Sequence, residues 1–110
     1  MSDAADEARA KAILEVMLSA DFSGASEYRS QLKVATLARH ETGCGITVDR
    51  TAAPAAPFDP DYPSAALPVQ AFGQGKLWLL LHSHDGYLDD LELVDARRFP
   101  QPDTVKVRVD

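Results

Sequence analysis

The first 20 residues repeat apolar positions at the three- and four-residue spacing of an amphipathic α-helix. Ser2 or Asp3 can accept hydrogen bonds from the first turn, and the carboxylates of Asp6 and Glu7 suit the positive end of the helix dipole. The pattern therefore predicts a helix over residues 3–19. The broad apolar stripe that we expect to face a sheet comprises Ala10, Ile13, Leu14, Met17 and Leu18.

A short second helix and a β-hairpin are predicted next. The segment Asp21-Phe22-Ser23-Gly24 ends the first helix, and residues 25–32 form the second. Residues 34–40 have a pattern compatible with a strand, and residues 46–49 carry three consecutive β-branched side chains. Residues 41–45, which include two glycines, predict the turn between these strands.

Proline dominates the segment that follows. Five of the seven prolines lie between residues 51 and 68. Each proline fixes φ and removes an amide donor, so we expect one long extended loop over this range. Phe58, Tyr62 and Leu67 are the side chains expected to hold the loop against the domain, and residues 69–72 form a short strand after it.

The clearest strand of the chain covers residues 76–84, where leucines occupy both alternating faces. It ends at Asp85-Gly86, the dipeptide favoured in a two-residue type I′ hairpin turn, and residues 87–94 form the returning strand. A regular ladder counted from this turn pairs His84 with Tyr87 and His82 with Asp89.

The two faces of this hairpin differ. The face predicted to be core comprises Trp78, Leu80, His82 and His84. The opposite face comprises Leu77, Leu79 and Leu81. A regular ladder sets Leu81 against Asp90 and Leu79 against Glu92, which requires either a bulge at Asp89-Asp90 or a cover supplied by a helix or a second subunit.

Residues 104–110 alternate valines with charged side chains, as expected of an edge strand that could also add to a neighbouring sheet. Together these elements predict an α+β fold in one domain over residues 1–110. One or two N-terminal helices, within residues 3–32, pack on an antiparallel sheet of about five to six strands within residues 33–110, with the Pro-rich loop at 51–68.

Composition narrows the function classes. A net charge of −6 would repel a phosphate backbone, and the basic residues are scattered, so we expect no nucleic-acid partner. The single cysteine excludes an intramolecular disulfide. The acidic N-terminus is unlike a signal peptide and no apolar run reaches membrane-spanning length, so a cytoplasmic protein without a membrane partner is expected. The many alanines, and arginines in excess of lysines, suggest a GC-rich bacterial genome.

The densest polar cluster comprises His82, His84, Asp85 and Asp89. His-x-His on a strand sets two imidazoles on one face, and Asp89 opposite His82 would be a third metal ligand. The alternative is a cross-strand His/Asp pair at the solvated end of the hairpin.

A second candidate pair is Cys44 with His40. A thiol beside an imidazole is the minimum for nucleophilic catalysis, and a hairpin could bring the two together. The alternative is a small residue tolerated between two glycines, because no residue pattern identifies an oxyanion hole or an orienting group.

The acidic run in the second half of the chain comprises Asp85, Asp89, Asp90, Glu92 and Asp95. It could bind a cation or a basic partner, and its alternative is a solvated face. The spacing does not match an EF-hand loop.

Several motifs together resemble a group of small uncharacterised bacterial proteins with no assigned activity. The shared features are Gly43-Cys44-Gly45 before Val48-Asp49-Arg50, the Pro-rich loop, and Asp85-Gly86-Tyr87-Leu88 followed by Leu91-Glu92. The resemblance covers about two-thirds of the chain, and it implies the hairpin but no activity. In that group the turn is usually richer in cysteine, whereas only Cys44 is present here.

Three functions remain open at the level of sequence. The leading hypothesis is a non-catalytic interaction module, homodimeric through Leu77, Leu79 and Leu81 or the C-terminal strand, or an immunity- or antitoxin-like protein with a basic partner. The alternative is a small hydrolase or metal-dependent enzyme using His82, His84 and Asp89, or Cys44 and His40. The third is an apolar ligand site under the Pro-rich loop. No cofactor is predicted.

Overall fold

Two helices and six strands make up the part of the chain that the computed structural model describes, residues 3–110. The helices are α1 (Asp3–Leu18) and α2 (Ala25–Leu32). The strands are β1 (Ala35–His40), β2 (Gly43–Val48), β3 (Ser64–Phe72), β4 (Trp78–His84), β5 (Tyr87–Val94) and β6 (Lys106–Val109), with one 3₁₀ turn at Pro102–Thr104. The predicted α+β fold is confirmed. Ser2, a candidate cap of α1, lies outside the described residues.

All six strands form one antiparallel sheet in the order β1-β2-β5-β4-β3-β6. Both helices pack on one side of it, with α1 against β1 and β3 and α2 against β5. The stripe predicted on α1 is confirmed, because all five of its side chains are fully buried. The last strand lies at an edge of the sheet, as predicted, and β1 forms the other edge.

The first hairpin turns earlier than the glycines suggest. Strand β2 begins at Gly43, so the turn contains only Glu41 and Thr42 and not the predicted residues 41–45. A Cβ on Gly43 would lie 2.3 Å from the carbonyl oxygen of Leu91. Glycine at this position therefore permits close pairing of β2 with β5 and does not mark a turn.

The Pro-rich loop is shorter than predicted, because β3 begins at Ser64. Pro68 lies inside β3, in the irregular stretch between Ala66 and Gln70 where the ladder with β4 shifts register. A bulge accommodates a residue without an amide donor, which explains a proline within this strand.

Of the three side chains predicted to hold the loop, Leu67 packs against the core, whereas both aromatic side chains are exposed. Phe58 is 43% exposed and Tyr62 is 74% exposed. Ala53 and Ala56 are buried in the core instead. The side-chain amide of Gln31 donates to the carbonyl of Pro54 at 2.9 Å, and the backbone amide of Ala56 donates to the carbonyl of Gly86 at 2.8 Å. Small side chains and these hydrogen bonds therefore also hold the loop.

The predicted turn between β4 and β5 is confirmed. Asp85 and Gly86 both adopt positive φ, at 53° and 80°, as a type I′ turn requires. His84 pairs with Tyr87, as predicted, but the ladder then shifts so that His82 pairs with Asp90 and not with Asp89. Asp89 is therefore the extra residue of a β-bulge, and a bulge at Asp89-Asp90 is one of the two arrangements that the sequence left open.

This bulge reverses the predicted faces of the hairpin. Leu81 pairs with Leu91 and Leu79 with Leu93, and all four are buried. The face predicted to be core, with Trp78, Leu80, His82 and His84, is only half-buried and lies on the side without helices. One extra residue thus aligns the leucines of both strands under α1 and α2, which buries more apolar surface than the regular ladder would.

Candidate interaction face

The sheet has a side on which neither helix packs, and every side chain there is exposed or half-buried. We call this side the open face. Two adjacent rows of this face comprise Phe72 and Gln70 on β3, Trp78 and Leu80 on β4, Glu92 and Val94 on β5, and Lys106 and Arg108 on the edge strand β6. Antiparallel sheets commonly leave one face to solvent, but that face is usually polar, so aromatic and leucine side chains here require an explanation.

The aromatic side chains at the centre of the open face are held in a fixed arrangement. The rings of Phe72 and Trp78 stack with centroids 6.0 Å apart and planes 9° from parallel. The guanidinium of Arg108 lies 5.2 Å from the centroid of Phe72, within cation–π range. The indole of Trp78 donates a hydrogen bond to Oε1 of Gln70 at 3.2 Å. Rigid aromatic groups with satisfied polar ends are typical anchors of protein interfaces.

The three histidines of the chain all lie on this face. His40 reaches from β1 across β2 to Asp90 on β5, with Nε2 of the imidazole 2.5 Å from the carboxylate. It passes Gly45, where a Cβ would come within 3.9 Å of the ring. This is an ordinary van der Waals distance, so the imidazole could also cross the strand beside an alanine.

The other two histidines have separate partners. Nε2 of His82 is 2.8 Å from Oε1 of Glu92, and Nδ1 of His84 is 2.7 Å from the hydroxyl of Ser64. The side chains of His82, Glu92 and His84 are between about one-third and one-half exposed. Ser64 is exposed too. Solvated pairs of this kind orient side chains and contribute little to stability.

The predicted metal set does not assemble. His82 pairs with Glu92, His84 with Ser64, and Asp89 occupies the bulge without a register partner on β4. Among residues 3–110, no group of three or more histidine, cysteine, aspartate or glutamate side chains is placed to hold a metal ion. The bulge is the physical reason, because it removes Asp89 from the position opposite His82.

The predicted thiol–imidazole pair does not form either. Cys44 is fully buried on the helix side of the sheet, whereas His40 lies on the open face. Burial chiefly, with the carboxylate of Glu7 as the second cause, raises the pKa of the Cys44 thiol to about 11. A buried thiol with a raised pKa is not a nucleophile, so the alternative of a structural small residue fits this geometry.

The acidic run serves several separate roles. Asp90 and Glu92 each accept a hydrogen bond from a histidine. Asp85 and Asp95 both adopt positive φ, at 53° and 59°, which aspartate tolerates better than most residues. The run is therefore not one cation site but a set of turn residues and cross-strand partners.

The leucines predicted to contact a second subunit lie on the other side of the sheet. Leu79 and Leu81 are fully buried beneath the helices, and Leu77 packs against the same core. Self-association through Leu79 and Leu81 would require the core to open. Any contact through a sheet face must use the open face instead.

Sequence reasoning missed a buried ion pair. Nε of Arg39 lies 3.2 Å from Oδ2 of Asp6, and their side chains are only 9% and 4% exposed. The sequence interpretation gave Asp6 a role at the helix dipole. Its four-residue spacing from Ala10, at the start of the buried stripe, is the signal that could have shown its burial.

No protein-family model matches this chain, and neither a curated protein nor a solved structure matches it. The resemblance to small bacterial proteins therefore stays a prediction. No helix within residues 3–110 is long and apolar enough to cross a membrane.

Proposed function

We propose that this chain is a non-catalytic protein-interaction module and that its open face binds a second copy of the same chain. The observation that carries the proposal is the stacked pair of Trp78 and Phe72, beside Leu80, on a sheet side without helices. Half-buried apolar side chains grouped on one face mark interaction surfaces more often than isolated ones do.

A second copy is favoured because the charges on the open face are self-complementary. Register places Glu92, Leu80, Gln70 and Arg108 in one row across β5, β4, β3 and β6. A two-fold axis parallel to the strands, between β3 and β4, would set Arg108 over Glu92 of the partner subunit, and each β4 over the partner's β3. The same patch then serves both subunits, as an isologous contact requires.

The size of the face predicts a weak contact. Six strands about 4.8 Å apart, each about 7 residues long, give a face of roughly 550 Å² per copy. Stable interfaces bury about 800 Å² per partner, so this contact lies at the small end of the range. We therefore expect a dissociation constant in the micromolar range.

Sedimentation over concentrations from about 1 µM to about 300 µM tests the proposal. The expected result is a reversible monomer–dimer equilibrium that Leu80→Asp abolishes while the circular dichroism spectrum is retained. Val16→Asp is the matched control, because Val16 is 39% exposed on the helix side of the molecule. A monomer at every concentration, or a dimer unaffected by Leu80→Asp, would overturn the proposal.

The same proposal places the chain in a bacterial cytoplasm. The sole cysteine is a free, buried thiol, which is ordinary in a reducing compartment.

The net charge of −6 makes a basic protein the other occupant to consider for the open face. A basic partner would leave the isolated chain monomeric, so the sedimentation experiment separates the two.

A further inference from the structure

A polar cleft of about 630 Å³ lies at the edge of the sheet, far from β3 and β6. It is bounded by the start of α1, the end of β1 and the segment after β5. Its lining residues are Asp3, Asp6, Arg39, His40, Glu41, Arg97 and Arg98. None of these side chains belongs to the row that joins Glu92 to Arg108 on the open face.

Asp6 is the distinctive member of this cleft. The residue is only 3% exposed, and its Oδ2 is within 3.2 Å of Nε of Arg39 and 3.5 Å of Nη1 of Arg98. The other carboxylate oxygen, Oδ1, is buried and has no hydrogen-bond partner among the described protein atoms. A buried carboxylate oxygen without a donor is costly, so a donor from outside the protein would be stabilised there.

Arg39 is fixed in place by backbone carbonyls. Its Nη1 donates to the carbonyls of His40 and Gly43, the latter at 2.7 Å, and its Nη2 donates to the carbonyl of Arg97 at 2.6 Å. Its guanidinium also lies 5.4 Å from the ring centroid of Phe99. Arg39 therefore holds Asp6 and the segment after β5 in position, and most of its donors are already used.

Arg97 and Arg98 provide the guanidinium groups that remain available. Both residues are exposed, and the side chain of Arg98 is 46% exposed at its long contact with Asp6. Two guanidinium groups, those of Arg39 and Arg98, thus contact one buried carboxylate, and Arg97 lines the same cleft. The carboxylates of Asp3 and Glu41 also line the cleft, but both residues are exposed, so water and salt screen their charge.

We propose that this cleft binds hydrogen phosphate, with its oxygens facing Arg97 and Arg98 and its P–OH group donating to Oδ1 of Asp6. Guanidinium groups match the geometry of phosphate oxygens. The remaining proton of the anion supplies the donor that Oδ1 lacks. An oxyanion without a proton has no hydrogen bond to donate to the Asp6 carboxylate, and the two negative charges would only repel each other.

Calorimetric titration with three probes at about pH 7.5 tests the proposal. Inorganic phosphate keeps a proton at this pH, sulfate has none, and methyl phosphate, whose second pKa is about 6 and which carries no alcohol group, is mostly without a donor. We expect inorganic phosphate to bind at least about 10-fold more tightly than either of the others, because the hydrogen bond to a charged carboxylate distinguishes them. Equal binding of methyl phosphate would assign the site to phosphate monoesters and overturn the role of the proton.

Variants assign the effect to residues. Arg97→Ala and Arg98→Ala should each weaken phosphate binding by about 10-fold, whereas Arg50→Ala at the opposite end of β2 should not change it. Asp6→Asn can present an amide N–H₂ group instead of an acceptor, so its preference for phosphate over sulfate should fall to less than about 3-fold. If Asp6→Asn fails to fold, the two exposed arginine variants and the comparison with sulfate still test whether the cleft binds hydrogen phosphate.

Two results would overturn the proposal. The first is the absence of phosphate binding by the wild-type chain at millimolar concentration, which would mean that only water donates a hydrogen bond to Oδ1 of Asp6. The second is phosphate binding that is unaffected by both Arg97→Ala and Arg98→Ala. Sedimentation of these variants should be unchanged, so failure here is distinguishable from failure of the dimer.

Discussion

The side-chain amide of Gln31 donates a hydrogen bond of 2.8 Å to the carbonyl of Gly86, 55 residues further along the chain. Its Oε1 accepts from the amide of Leu88 at 2.9 Å. The same amide group reaches the carbonyl of Pro54 at 2.9 Å. One fully buried side chain from α2 thus joins the hairpin turn and the Pro-rich loop.

Replacing Gln31 by alanine should therefore lower the free energy of unfolding by about 2–4 kcal/mol. The variant leaves the Leu88 amide without its side-chain acceptor and opens a cavity behind α2. Urea denaturation monitored by circular dichroism measures the change. Gln74→Ala is the control, because Gln74 is exposed in the turn before β4, and its effect should stay below about 0.5 kcal/mol. A loss under about 1 kcal/mol for Gln31→Ala would show that the network is not a stabilising link.

Local signals predicted the elements of this fold well. The helix α2 and strand β5 have the predicted bounds, and the Asp85-Gly86 turn has the predicted positive φ values. Each of these signals lies within a few residues, such as an apolar repeat or a turn dipeptide. The stripe on α1 was predictable for the same reason.

The position of the bulge was not predictable, and it decides which face is core. The sequence offered a bulge at Asp89-Asp90 as one of two solutions, and no local signal chose between them. The choice depends on helices that cover Leu79 and Leu81 from elsewhere in the chain. A shift by one residue exchanges the two faces of a strand, so the predicted metal set failed together with the predicted register.

The partners that Asp6 and Gln31 have inside the protein were also beyond local reasoning. Both are polar residues on helices, where the default expectation is exposure to solvent. Their partners, Arg39 and Gly86, are 33 and 55 residues away along the chain. Only the packed fold shows that these polar groups have partners inside the protein.

The two glycines that flank Cys44 should respond differently to substitution. A Cβ on Gly43 would lie 2.3 Å from the backbone oxygen of Leu91, whereas the nearest atom to a Cβ on Gly45 is 3.7 Å away. We expect Gly43→Ala to lower the free energy of unfolding by about 2 kcal/mol or more, because β2 and β5 must separate. Gly45→Ala should change it by less than about 1 kcal/mol. Urea denaturation of both variants compares them directly, and equal losses would contradict the close approach at Gly43.

The stability of the domain should fall as the pH rises above about 9. Burial raises the pKa of Cys44 from 9.0 to about 11, so the unfolded chain loses this proton first and alkaline pH favours unfolding. The contribution is present below pH 9 and is lost as the pH rises to about 11. Between about pH 8 and pH 10 the loss from this thiol should be about 1 kcal/mol.

Urea denaturation of Cys44→Ala at the same two pH values measures the contribution of the thiol. The variant should lose less stability between them than the wild-type chain does. Burial also raises the pKa of Tyr28, so Tyr28→Phe separates the tyrosine contribution at the higher pH. Identical pH dependence of the wild-type chain and Cys44→Ala would contradict the raised pKa.

Reversal of one charge on the open face should prevent dimer formation, and reversal of both should restore it. In the proposed dimer, Arg108→Glu would set two like charges over the Glu92 residues, and Glu92→Arg would do the same over the Arg108 residues. The double variant Arg108→Glu/Glu92→Arg regains opposite charges in both symmetry-related contacts. We expect each single variant to weaken association by at least about 10-fold in sedimentation, with most of the loss recovered in the double variant.

This charge exchange distinguishes a specific two-fold contact from loss of folding or from general repulsion. Each single variant changes the net charge of −6 by two units, whereas the double variant returns it to the wild-type value, so Lys76→Glu is needed as a control. Lys76 is exposed in the turn before β4, and its reversal makes the same charge change as Arg108→Glu outside the proposed row. If Lys76→Glu weakens association as much as Arg108→Glu does, net charge explains the effect. If the double variant stays monomeric while it remains folded, Arg108 and Glu92 do not face each other, and the axis between β3 and β4 is wrong.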